Sequence, residues 1–91
     1  MFEYDPDKSD ANRIKHGIDF DQAQAIWSDE ARLAYASNAN GEPRWIVVGL
    51  IGDRVWAAVH TIRGDRIRII SVRRARKEEV EHYVHWQENQ R

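Results

Sequence analysis

The stretch Arg66 to Arg74 reads R-I-R-I-I-S-V-R-R, and the fold is decided by how it is read. Ile67, Ile69, Ile70 and Val72 are β-branched residues that suit a pleated, buried surface, so the stretch is a strand. Successive side chains of a strand point to opposite faces, so this one buries its apolar residues while holding guanidiniums in fixed positions. A guanidinium is a planar fork of five donors that fits phosphate oxygens, which makes a row of them an anion-binding surface. Pairing with the chain's own carboxylates accounts for the same arginines.

Working outward, Arg63-Gly64-Asp65 is a turn with Gly64 available for positive φ, and Val55 to Ile62 runs antiparallel to the central strand. Gly52-Asp53 is a second tight turn. Arg44 to Ile51 is apolar on both faces, as befits a strand in the middle of a sheet. Before it, the cluster Ser37-Asn38-Ala39-Asn40-Gly41-Glu42-Pro43 joins that strand to one around Leu33 and Tyr35. Downstream, Lys77 to Asn89 reads as a helix with Val80, Tyr83, Val84 and Gln87 inward, although Arg76 stands where a Ser or Thr cap is expected.

At the N-terminus, Phe2-Glu3-Tyr4 is a short strand. Asp5-Pro6 is an N-cap with proline at the first helical position, and Gly17 closes the helix, so Pro6 to His16 is bounded at both ends. Its apolar face is thin, resting on Ala11 and Ile14. Asp19 and Gln22 form a capping box ahead of a second helix from Phe20 to Trp27. These elements predict an α+β fold: a small antiparallel β-sheet, two N-terminal helices and one C-terminal helix, with residues 1–91 a single domain.

Composition narrows the function. The 91 residues include four Trp, three Tyr and two Phe to fill a small core, and no Cys, hence no disulfide framework or thiolate metal site. The longest mainly apolar run, Trp45 to Ile51, is too short to span a bilayer, and no signal region is read at the N-terminus; a soluble cytoplasmic protein is expected. The net charge of −1 hides an asymmetry: residues 1–31 carry −5, residues 32–77 carry +7 and residues 78–91 carry −3. A polyanion or an acidic protein is therefore expected on the middle segment.

His82 and His85, three apart on a helix, lack companions with ligand spacing and read as solvated surface, so no metal and no cofactor are expected. No Gly-rich phosphate loop, nucleophile elbow or paired-carboxylate site is present. What remains is His60 near the basic hairpin, sharing a face with Trp56 and Ala58. An imidazole close to guanidiniums can cleave RNA without metal, one group taking the 2′-hydroxyl proton and others stabilising the phosphorane. A histidine hydrogen-bonded at a sheet edge is the alternative.

D-P-D-K-x-x-x-N-x-x-K-H-G-I-x-F-x-x-A from Asp5, R-W-I-V-V-G from Arg44 and G-D-R-I-R-I-I-S-V-R-R-A from Gly64 together resemble the BrnT family of bacterial toxins. The resemblance implies a RelE-like fold and a ribonuclease that halts translation. It also implies a partner, a BrnA-like ribbon-helix-helix antitoxin that masks the toxin and represses the shared operon, so that operator DNA is met only through the antitoxin. The motif falls on Lys8, Asn12, Lys15, His16 and Gly17, and on Arg68, Ser71 and Arg73. Arg68 and Arg73 are expected to bind the scissile phosphate, Arg44, Arg66 and Arg74 to make further RNA contacts, and Lys15, His16 or His60 to move the proton. Arg68 and Arg73 differ in alternation parity, so both can serve one site only if a bulge intervenes. A basic module that binds nucleic acid or an acidic protein without chemistry is the rival reading.

Overall fold

In the computed structural model, which describes residues 1–37, 41 and 43–90, the sheet has five strands in the order β1-β5-β4-β3-β2. They are β1 (Phe2–Glu3), β2 (Leu33–Ser37), β3 (Arg44–Ile51), β4 (Arg54–Arg63) and β5 (Arg66–Arg74). The expected antiparallel sheet is corrected to a mixed one, because β1 joins the edge of β5 in parallel, Phe2 beside Ile67 and Glu3 beside Arg68. A parallel neighbour requires a crossover, and here the crossover is nearly the whole chain. Of the expected turn cluster, Asn38, Ala39, Asn40 and Glu42 lie outside the described residues.

Two layers of helix cover the sheet. On one face lie α1 (Pro6–His16), α2 (Phe20–Ala23) and a 3-10 helix (Gln24–Ser28). They bury Ile18, Phe20, Ala23 and Ile26 against Val47, Ala58, Ile69 and Val72. On the other face α3 (Lys77–Asn89) sets Tyr83 against Val48 and Ala57.

α1 does not dock through the expected Ala11 and Ile14, both of which are exposed, Ile14 at 79%. It is held by polar bonds instead. The buried Asn12 donates from Nδ2 to the Ile18 carbonyl at 2.8 Å and accepts the Val72 N–H at 3.1 Å, while Ser9 Oγ accepts the Phe20 N–H at 2.9 Å. Asn12 thus takes up a donor on β5 beyond the short reach of β1, as a buried backbone group requires.

The expected helix Phe20 to Trp27 begins with the predicted capping box but keeps α-form only to Ala23 before tightening to 3-10. The tightened segment lies directly on β3, where a Cβ on Gly49 would stand 3.0 Å from Ile26 Cγ2 and 3.3 Å from the Ile26 carbonyl oxygen. Glycine at that position permits the close approach.

Two carboxylates fasten α3. Glu79 accepts Arg73 Nη1 at 2.7 Å and Nη2 at 3.1 Å, the Tyr35 hydroxyl at 2.6 Å and the Arg76 N–H at 2.7 Å. That last bond supplies the helix start the sequence left weakly specified: the glutamate at the third position reaches back to the cap residue. Asp29 accepts the Tyr83 hydroxyl at 2.6 Å and the N–H groups of Leu50 and Ala31 at 2.8 and 2.9 Å. Burial and these carboxylates push both Tyr35 and Tyr83 up to about 12.

Candidate nucleic-acid interface and active site

The parity question is settled by a bulge in β5. Val59 pairs with Ser71 while His60 pairs with Ile69, leaving Ile70 as the extra residue. An extra residue shifts alternation by one, so Arg68, opposite Thr61, and Arg73, opposite Ala57, face the same side of the sheet. It is the side that α3 covers, but α3 covers only the Ala57 end.

At the end beyond α3 one row of side chains crosses the sheet. Ser37 pairs with Arg44, Arg44 on β3 stands one position beyond the Trp45–His60 pair and so next to Thr61 on β4, Thr61 pairs with Arg68, and Arg68 lies beside Glu3. Thr61 Oγ1 is anchored on the Pro43 carbonyl at 3.1 Å. Lys8 reaches over from α1, and together with Arg44, Thr61, Arg63, Arg68 and Ile70 it lines a cleft of about 210 Å³. Arg66, paired with Arg63 at the hairpin, is exposed at its margin. Five cationic side chains thus gather in and around one opening, where each strengthens the pull on an anion. Glu3 Oε2 holds Arg68 Nη1 at 2.9 Å.

The other predicted residues are distributed differently. Arg73 shares the face but lies four β4 positions away, about 13 Å at strand rise. Its side chain is 21% exposed and is engaged by Glu79 on both terminal nitrogens. Those bonds raise the Arg73 pKa; burial drives Glu79 upward, but the Arg73, Arg76 and Tyr35 bonds outweigh it and bring Glu79 down to about 2. Arg74, past the bulge, faces the opposite side and covers the Trp56 ring, 5.5 Å from its centroid. Ser71 is half-buried beside Val59.

His60 is not brought to the arginines. It is 5% exposed on the α1 and α2 side, edge-on to Trp27 with ring centroids 5.1 Å apart, its Nδ1 3.3 Å from the Ala58 carbonyl. Burial lowers its pKa against the smaller opposing effect of that carbonyl. Lys15 and His16 sit in the last turn of α1 before the left-handed Gly17, where they complement the helix dipole. Lys15 stands about 10 Å along the helix from Lys8.

Four members of the cleft, Lys8, Thr61, Arg63 and Ile70, were not among the residues chosen for the site from sequence, although Lys8 belongs to the motif. Glu3 carried no signal at all, since its place beside Arg68 follows from the pairing of the two ends of the chain. Among the described residues, no group of three or more His, Asp or Glu could hold a metal ion, and no helix is long and apolar enough to cross a membrane.

The chain is an α+β protein that gathers guanidiniums at the end of its sheet beyond α3, an arrangement whose charge suits an anion. The chain belongs to the family described as the ribonuclease toxin BrnT of type II toxin-antitoxin systems, whose family model matches residues 4–79. Membership carries with it a ribonuclease activity in general and an antitoxin partner. No curated protein matches the chain.

Proposed function

We propose that this protein, a single domain of RelE-like architecture, is a metal-independent endoribonuclease that cleaves cellular RNA in the cytoplasm and inhibits translation. Arg68 holds the scissile phosphate and stabilises the charge of the phosphorane, and Arg44 contacts the same or the next phosphate. Lys8, Arg63 and Arg66 steer the strand into the cleft. The reading rests on one observation above the others: the register of the β4–β5 hairpin sets Arg68 opposite Thr61, in a row with Arg44 on the part of the face that α3 does not cover. Guanidiniums fixed on strands need no reorganisation as charge develops, which is where most electrostatic catalysis arises.

Arg73 is assigned to the Glu79 clamp rather than to the phosphate, and Arg74 to the Trp56 contact on the far face. His60, buried on the other face of the sheet, and Lys15 and His16, in the last turn of α1, are set aside as proton carriers. A BrnA-like ribbon-helix-helix antitoxin neutralises the toxin and carries any contact with operator DNA. Purified protein treated with a chelator should cleave RNA to fragments with new internal ends. Retention of RNA without cleavage would instead mark a basic binding module.

A further inference from the structure

We propose that Glu3 is the general base of the cleavage, an assignment that rests on the reading above. A base must lie within hydrogen-bond reach of the 2′-hydroxyl next to the scissile phosphate. The residues suggested by sequence do not meet this: His60 is buried on the opposite side of the sheet, and Lys15 and His16 are at the far end of α1. Glu79 is occupied by Arg73, Tyr35 and Arg76. Asp65 is exposed in the hairpin turn.

Glu3 is differently placed. The parallel pairing of β1 sets it beside Arg68, and its Oε2 takes Arg68 Nη1 at 2.9 Å. That bond uses one edge of the guanidinium and leaves Nη2 and Nε to approach a phosphate. The carboxylate and the phosphate then share one planar fork, so the base stands a few ångströms from the sugar whose 3′-phosphate Arg68 holds. The two side chains are 25% and 31% exposed, ordered by each other yet open to a substrate. Glu3 also falls just outside the residues that the family model matches.

In the step so arranged, Glu3 takes the 2′-hydroxyl proton, the 2′-oxygen bonds to phosphorus, and the bond from phosphorus to the 5′-oxygen breaks. The departing oxygen receives a proton from the ammonium of Lys8, which lines the same cleft. The products are a 2′,3′-cyclic phosphate and a 5′-hydroxyl, with no oxidant, reductant or metal required.

Glu3→Gln keeps the shape of the side chain and an oxygen for Arg68 while removing the base. Its kcat should fall by about 10²- to 10⁴-fold. Its affinity for an oligonucleotide blocked by 2′-deoxy substitution should stay close to that of the unsubstituted protein. Glu3→Ala should regain activity with added formate, acetate or propionate, the rate rising with the basicity of the carboxylate, a trend that mere support of Arg68 would not produce. Glu3→Asp, the variant to use should the others fail to fold, should lose kcat rather than affinity. Undiminished kcat in Glu3→Gln or Glu3→Asp, or rescue independent of basicity, overturns the assignment. Failure of the underlying reading is separately visible: the unsubstituted protein then leaves RNA intact, or Arg68→Ala cleaves as well as it does.

Discussion

Replacing Arg73 by Met should separate the fold from the chemistry. In the folded protein Glu79 is 7% exposed at its side chain and takes both terminal nitrogens of Arg73, at 2.7 and 3.1 Å. Methionine fills much of the same space but leaves a buried carboxylate with only Tyr35 and the Arg76 N–H, and breaking a buried pair on one side costs about 3–5 kcal/mol. The proton equilibrium points in the same direction. Glu79 lies at about 2 against an ordinary 4.5, held there against burial by Arg73 first and by the Arg76 N–H and Tyr35 hydroxyl after it, so loss of Arg73 should let it rise. With a urea slope of about 1–1.5 kcal/mol/M for a chain of this length, the unfolding midpoint should drop by about 2 M or more. The sign with pH is fixed: a carboxyl whose pKa is depressed by folding contributes stability above its unfolded value of 4.5, lost as pH falls toward about 2. Urea titrations of the unsubstituted protein at pH 7, 4 and 2.5 should show that loss, and Glu79→Gln should flatten it. An unchanged midpoint in Arg73→Met, together with abolished RNA cleavage, would refute the clamp and return Arg73 to the active site.

Two further outcomes follow from buried groups. Burial depresses the His60 pKa below its ordinary 6.5, so its contribution to stability is present above that value and fades as pH falls through the lower folded one. His60→Phe should remove this part of the pH dependence in a denaturation series, and it should leave RNA cleavage at pH 7 within a few-fold. Asn12→Ala strands the Ile18 carbonyl and the Val72 N–H, at about 1–3 kcal/mol for each group left unpaired. Its thermal unfolding should come well below that of the unsubstituted protein, and hydrogen exchange at Val72 should accelerate.

Where structure is set by local chemistry, the sequence could be read closely. Asp5-Pro6 and Gly17 bound α1 at the predicted residues, the unbroken apolar run bounds β3, and the amphipathic pattern bounds α3. Features that depend on distant residues were not readable. The parallel partner of β5 is the start of the chain, so the mixed sheet and the meeting of Glu3 with Arg68 follow only from the completed topology. A bulge was recognised as the condition for Arg68 and Arg73 to share a face, but its position at Ile70 is set by pairing with β4. Asn12 was visible in the motif, yet that a polar residue docks α1 more than Ile14 does reflects an unpaired donor on a strand sixty residues away. Arg73 and Arg68 look alike in sequence; a glutamate six residues further on and a short parallel strand give them different work.

On the proposed function, the row through Arg68 beyond α3 is the catalytic site and the α3-covered end around Arg73 is not. The most direct measurement is kcat/KM for RNA cleavage by Arg68→Ala, with folding verified by its urea midpoint. It should fall by about 10²- to 10³-fold, the size expected when one fixed electrostatic donor is removed, with the midpoint nearly unchanged. Cleavage at the unsubstituted rate by folded Arg68→Ala would contradict it.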